Sequence, residues 1–434
     1  MKTRMRCGSN ALFAVLLVIG LLASCVPAQL PPAATPAPKK VTLTTWDPSS
    51  DEGINKIFAD MDGAFMQRYP HITIERTHVL HSEYKQKLDT AFAGQAAPDI
   101  VWAWANPSTF YAYVDKGLVV PLDDAYTARG WTKYFPPAML AAAKGKDGRL
   151  YGVPDFINGT VIAYNVDIFA KYNLQPPSTW DEWLKVLDTL KANGVTPIGL
   201  GASDGNWQLR RLFELILNSV AGKDFTEALY RGEKSWESPE VIDALERFKQ
   251  MDPYLSTGYM GMDSRQGWAI WYAQQAAMMV SDTWQFGLHD RDAEFRWDFF
   301  FFPKVKEDNP TNFVGAVSDV MYIPTSSPYK EEAILYLDFF LTKEAQAFWV
   351  EGAKLPFVPA AAHGLITEEK MGPQNVKLLD YINTNGFTTW FDVGVPVEVS
   401  DKATPAIVSV IQGKISAEEA AREIESAAKE YYKK

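Results

Sequence analysis

The sequence predicts an α/β protein whose chain forms two blocks, each a mainly parallel sheet flanked by helices. Residues 41–104 alternate strand-like and helix-like segments in the order β-α-β-α-β, which is how a doubly wound sheet begins. A second run of strands and helices starts near residue 160. The chain has 434 residues, and without an apolar leader of 24 it is still too long for one hydrophobic core and suits two.

The leader comes first. Lys2, Arg4 and Arg6 precede an apolar run over residues 11–24, the pattern of a secretory signal and too short to cross a bilayer comfortably. Leu22-Ala23-Ser24-Cys25 resembles a bacterial lipobox, which implies a signal peptide over 1–24 and lipidation of Cys25. Two or three acyl chains there give stable membrane anchoring. The other cysteine, Cys7, leaves with the signal, so the mature protein has no disulfide and its stability rests on packing. Residues 25–40 form a Pro-rich linker, with prolines at 27, 31, 32, 36 and 38. An extended polyproline tract of this length holds a domain roughly 45 Å from its anchor.

Strand 41–46 opens the first block. Ile54, Ile57, Phe58, Met61, Phe65 and Tyr69 then recur at helical spacing until Pro70. "ITIERTH" alternates as a second strand. Ser82 is expected to cap a helix that carries Tyr84, Leu88 and Phe92 and stops at Gly94, and "DIVWAW" is the third strand. In the second block "TVIAYN" reads as a strand. "STWDEWLKVLDTLKANG" reads as a helix capped by Ser178 or Thr179 and closed at Gly194, with Trp180 and Trp183 on its buried face. "TPIGLG", "AAMMVS", "WDFFFF" and "VGAVSDVMYIP" follow as one strand each. Helices are expected over 206–220, 239–250, 328–340, 343–351 and 417–432.

The order and wording of these segments resemble bacterial extracellular solute-binding proteins of family 1, the maltose-binding-protein-like receptors of ABC sugar importers. The residues that carry the resemblance are "FMQRYPHITIE", "YKQKLDTAFAGQAAPDIVWAW", "DGRLYGVPDFINGTVIAYNVDIFAKYNLQPPSTWDEW", "AAMMVSDTW" and "IPTSSPYKEEAILYLDFFLTKEAQ". The resemblance implies a two-lobe periplasmic-binding-protein fold of type II, with about three crossings between lobes and a sugar held in the gap. Lobe one is then 41–155 plus 316–355, and lobe two is 156–315 plus 356–434. The crossings fall at hinge residues Pro154, Asn158, Gly315 and Pro356.

Ligands of open α/β sheets sit beyond the carboxyl ends of strands. Trp46 and Asp47 end the first strand, and Trp104 and Asn106 end the third, whereas Trp102 is expected to face away. Matching the family's cleft segments adds Trp207, Trp284, Trp390 and Phe391, with Asp282 and Asp319 at strand ends facing the crossings. These residue types suit a sugar. An indole covering about 100 Å² of a pyranose's C–H face is worth roughly 2.5 kcal/mol. Asp and Asn pair with the hydroxyl rim. The implied activity is capture of a di- or oligosaccharide by a monomer and its delivery to ABC permease subunits. The implied location is extracytoplasmic, either lipid-anchored to the cell membrane or in the periplasm. A ligand-sensing lipoprotein of the same fold is the alternative.

Other classes fit less well. Loss of residues 1–24 removes three positive charges and takes the net charge from −11 to −14, which disfavours nucleic acid and anionic membrane surfaces. The chain has no GxSxG, HExxH or Walker A motif, and no spacing selects a catalytic carboxylate pair, so no enzyme is expected. His71, His78 and His81 lie close together without a cysteine or a tight acid group, and read as surface or capping residues. No cofactor and no metal are expected.

Overall fold

The computed structural model describes residues 39–49, 51–309, 311–355 and 358–433. The signal peptide, Cys25, most of the linker and the hinge candidate Pro356 lie outside the described residues. The strands are β1 (Val41–Asp47), β2 (Ile72–His78), β3 (Ile100–Trp104), β4 (Val153–Pro154), β5 (Ile157–Asn165), β6 (Thr196–Gly199), β7 (Ala276–Asp282), β8 (Trp297–Phe300), β9 (Val314–Val317), β10 (Asp319–Tyr322) and β11 (Thr388–Thr389). They form two sheets. One has the order β2-β1-β3-β10-β4; the other has the order β11-β9-β5-β7-β6, with β8 paired to β5.

The first sheet follows the β-α-β-α-β reading. β1 runs parallel to β2 and β3, while β10 returns antiparallel between β3 and β4. Helix Glu52–Arg68 starts at Asp51, whose carboxylate accepts the Ile54 N–H, and buries Ile57, Phe58, Met61 and Phe65 at helical spacing. Helix His81–Ala93 begins one residue before Ser82. Leu80 occupies its N-cap without a side-chain bond, so the expected serine cap is absent.

The second sheet is mixed rather than mainly parallel. β5 runs antiparallel to β7, β8 and β9, and parallel pairs occur only at β6–β7 and β9–β11. Helix Trp180–Ala192 has the expected cap in full: Thr179 accepts the Glu182 N–H and the Glu182 carboxylate reaches back, while Trp180, Trp183, Val186, Leu187 and Leu190 are buried. Each such fully buried large side chain contributes about 1.5–3 kcal/mol.

"VGAVSDVMYIP" is two strands, not one. Ser318 separates β9, in the second sheet, from β10, in the first. A uniform apolar run does not reveal that its hydrogen-bonding partners change midway. The hydrophobic cores divide in the same manner. Residues from Val41 to Phe156 and from Val317 to Met371 share one cluster, many residues between Ile162 and Ala316 join Trp390 to Ala428 in a second, and Val161, Trp271, Phe286, Phe313 and Leu378 belong to a smaller third. Ala360, Leu365 and Met371 belong to the first cluster, although the sequence reading put everything after residue 355 with the second block.

Helix Phe286–Asp292, which lies between β7 and β8, touches elements of the first block. A Cβ on Gly287 would sit 2.0 Å from the Ala353 carbonyl oxygen, so glycine is what lets this helix lie against helix Lys343–Ala353. Arg291 on the same helix donates to both carboxylate oxygens of Asp51, at 3.0 and 2.9 Å, and Lys354 pairs with Asp290.

Candidate ligand-binding cleft

A cavity of about 1250 Å³ opens where the two cores meet. Its walls come from the ends of β1 and β3, the start of β10, the β4–β5 passage, the turn after β7, the head of helix Trp207–Ala221, and the segment around Trp390. Seven of the fourteen tryptophans of the chain line it: Trp102, Trp104, Trp207, Trp268, Trp284, Trp349 and Trp390.

On the first wall, Trp104 is half-buried, with the His81 ring 4.7 Å away and the Tyr84 ring perpendicular at 5.6 Å. Trp102 also lines the cavity, contrary to expectation. It lies two residues before Trp104 and therefore shares its side of the strand. Trp46 does not line the cavity; its ring packs on the first core and its carbonyl accepts the Tyr84 hydroxyl at 2.9 Å. Asp47 reaches the wall but is committed to protein partners: Arg76 at 3.1 Å, His78 at 3.0 Å and the Ser49 N–H at 3.0 Å. Asn106 lines the cavity and uses its side-chain oxygen to hold the turn through Ser108 and Thr109.

Three indoles stand edge to face along the second wall. Trp207 and Trp268 are 6.2 Å apart, and Trp268 and Trp284 are 5.9 Å apart. Sequence reasoning missed Trp268. The available signal was its spacing: Trp268 and Tyr272 are four apart on helix Ser264–Tyr272, beside a buried face of Ser264, Gly267 and Trp271. Two glycines bring that helix to the wall. A Cβ on Gly267 would lie 2.4 Å from the Gly201 nitrogen, and one on Gly201 would lie 1.9 Å from the Asp263 carbonyl. Trp284 is set by Asn158, whose side-chain oxygen accepts from the Trp284 N–H at 3.2 Å and the Thr283 hydroxyl at 2.9 Å. Among the described residues the other hinge candidates, Pro154 and Gly315, lie off the cavity. Pro154 pairs with Val320, and Gly315 faces Gly159, where a Cβ would meet the Asn158 carbonyl at 2.5 Å.

Trp390 has a charge behind it. The Arg211 guanidinium lies 3.7 Å from the centre of its ring, and the Trp390 indole N–H donates to Thr160 at 3.2 Å. Thr160 in turn donates to Asp282 at 2.7 Å. Phe391, expected beside Trp390 in the site, is fully buried against Tyr230 and Trp236 instead. Trp390 caps the short helix Phe391–Gly394, so successive side chains diverge, and Asp392 faces the cavity in place of Phe391.

Asp392 belongs to a buried charge cluster that sequence reasoning also missed. It accepts from Arg210 at 2.9 Å and Arg211 at 3.0 Å, while Glu214 takes two further bonds from Arg211 at 3.0 and 3.1 Å. Arg211 lies 3.7 Å from Asp282. Burial pushes all three carboxylates up, and the guanidiniums oppose it unequally. Asp392 is held down at about 2 by Arg211 and Arg210. Glu214 receives too little of that attraction and rises to about 7. Asp282 also stays above its usual range, because burial outweighs Arg211 and the Thr160 bond. Between its ordinary 4.5 and about 7, Glu214 therefore binds a proton in the folded protein but not in the unfolded chain. Its effect on stability declines as pH rises through that window, by at most about 1.4 kcal/mol per pH unit. Thermal melts of Glu214→Gln across that window are expected to show a flatter dependence on pH than the parent. Equal slopes would show that Glu214 is ionised throughout.

The sequence from residue 47 to 347 matches the family model described as bacterial extracellular solute-binding protein. The chain belongs to that family. A relative from Pyrococcus horikoshii, an uncharacterized ABC transporter extracellular-binding protein, is 26% identical over 345 residues, covering 76% of this chain and 75% of that one. The multiple sugar-binding protein of Streptococcus mutans is 24% identical over 374 residues, covering 81% and 82%. Among solved structures, a chitin oligosaccharide binding protein superposes with a TM-score of 0.80 at 22% identity, over 90% of this chain and 98% of its own. The likeness establishes the two-lobe fold of these extracellular solute-binding proteins. Among the described residues no helix is long and apolar enough to cross a membrane.

Proposed function

We propose that this solute-binding protein is a lipid-anchored receptor, tethered through Cys25, that takes a di- or oligosaccharide between its lobes as a monomer and delivers it to an ABC importer. One observation carries the reading: indoles from both cores converge on a single cavity, among them Trp104 and Trp284 packed against the first and Trp390 buried in the second. With relatives and neighbours named for sugars, aromatic platforms in that position favour carbohydrate over other solutes. At about 1250 Å³ the cavity exceeds the roughly 300–1,000 Å³ usual for small ligands, which favours more than one sugar ring. In this reading Asn106, Asp282 and Asp319 meet hydroxyls, whereas Asp47 holds the first wall in shape. The lobes are 41–155 with 318 to about 371, and 156–317 with the remainder, hinged near Asn158 and Ser318. Closure follows because only the closed state lets a sugar meet both walls.

A thermal-shift screen with mono- and oligosaccharides tests this, followed by solution scattering with any binder. A sugar at about 100 times its dissociation constant is expected to stabilise the protein by about 2.7 kcal/mol and to reduce the radius of gyration. A tight binder that leaves the radius unchanged would overturn the closure, and a complete panel without a shift would overturn the sugar.

A further inference from the structure

The cavity wall carries far more negative than positive groups. Among the described residues ten aspartates line it, against five lysines and arginines. Four of those five already hold carboxylates. Arg210 and Arg211 bind Asp392 and Glu214, Arg291 binds Asp51 and Asp292, and Lys85 binds Asp89. The fifth, Arg265, is exposed and is engaged as well.

Two neighbouring aspartates of the wall, Asp155 and Asp319, meet no cation within ion-pair distance among the described residues. Asp155, at the β4–β5 passage, is buried, and Asp319, at the start of β10, is half-buried. Their backbones interlock: the Asp155 N–H donates to the Asp319 carbonyl at 3.2 Å, and the Asp319 N–H donates to Asp155 Oδ1 at 3.0 Å. Phe156 N–H also donates to Asp155 Oδ1, at 2.6 Å, and the Ser318 hydroxyl to Asp319 Oδ2, at 2.7 Å. That leaves Asp155 Oδ2 and Asp319 Oδ1, both buried and without a hydrogen-bond partner. Among the described residues the neighbouring elements hold their polar groups in bonds of their own. Tyr84, on helix His81–Ala93, gives its hydroxyl to the carbonyls of Trp46 and Trp102. Asp47 on β1 is taken up by Arg76 and His78 of β2.

We propose that Asp155 and Asp319 act as a pair sharing one proton, and that this pair selects an uncharged sugar and rejects an anionic one. The inference rests on the carbohydrate reading above. Two adjacent buried carboxylates cannot both ionise cheaply. Burial pushes Asp155 well above its usual range, with the nearby Asp319 adding to the rise, and burial likewise brings Asp319 to about 6. A singly protonated pair offers one acceptor and one donor, which matches adjacent hydroxyls that both give and take hydrogen bonds. A carboxylate or phosphate placed there would meet like charge. Turning Arg211 toward it would strand buried aspartates and a glutamate.

Isothermal titration of the protein decides this, using xylotriose, maltotriose, raffinose, tri-N-acetylchitotriose and trigalacturonate. At about pH 6.5 the best neutral sugar is expected to bind at least about 100-fold more tightly than trigalacturonate. Its affinity should fall about 10-fold by roughly pH 8, as the shared proton leaves. In Asp319→Asn that fall with pH should be abolished, whatever the variant's absolute affinity for the neutral sugar. If this variant does not fold, Asp155→Asn serves in its place, and the parent's charge and pH comparisons need no variant. Trigalacturonate binding as tightly as the best neutral sugar would overturn the proposal. So would a folded variant with the parent's pH profile. If no sugar binds at all, the carbohydrate reading itself falls, an outcome distinct from the other two.

Discussion

Arg211→Met is expected to lower the melting temperature by roughly 5 °C, the largest stability loss from any single change in the cleft wall. Arg211 is buried and meets Glu214, Asp392 and Asp282 at once. Burial works against its charge, and those three carboxylates more than offset it. Methionine replaces the volume but leaves the acids with only Arg210 nearby. Breaking one side of a buried ion pair costs about 3–5 kcal/mol. The remaining acids should then take up protons in the folded state, so the deficit should shrink as pH falls toward 5. Adding Glu214→Gln should recover part of the loss. A shift under about 2 °C, or no rescue by the second change, would show that the cluster is not held by this guanidinium.

Trp284→Ala is expected to weaken sugar binding about 60-fold, as measured by titration with the best binder of the panel. The estimate is one indole face, about 100 Å² of apolar contact, at roughly 25 cal/mol per Å². Trp284 is half-exposed, so its truncation should move the melting temperature far less than it moves affinity. Trp284→Phe keeps a ring and should recover most of the loss. An alanine variant within threefold of the parent would remove Trp284 from the site, and equal losses for alanine and phenylalanine would point to the backbone turn at Asn158 instead.

Much of this architecture is legible in the sequence because it is local. Helical spacing gives the buried face of Glu52–Arg68, and Thr179 with Glu182 gives a cap, since both depend on residues a few positions apart. Strand ends point to Trp104 and Asp319 for the same reason. What stays hidden is pairing across the chain. Ser318 marks the passage between sheets, yet nothing in the flanking apolar residues tells that Val317 and Val320 answer to different partners. The Arg211–Asp392 bond joins residues 181 apart in sequence, so a helix rich in apolar residues conceals a charge cluster. Trp46 and Phe391 fail as site residues because each is adjacent in sequence to a side chain that faces the cavity, and adjacent side chains point elsewhere.

Half of the tryptophans of the chain border one cavity, and one of them, Trp390, lies flat under a guanidinium. Indole emission responds to the water and the charge around the ring. Filling the cleft would dry several of these fluorophores together, so the molecule carries an unlabelled optical gauge of its own occupancy.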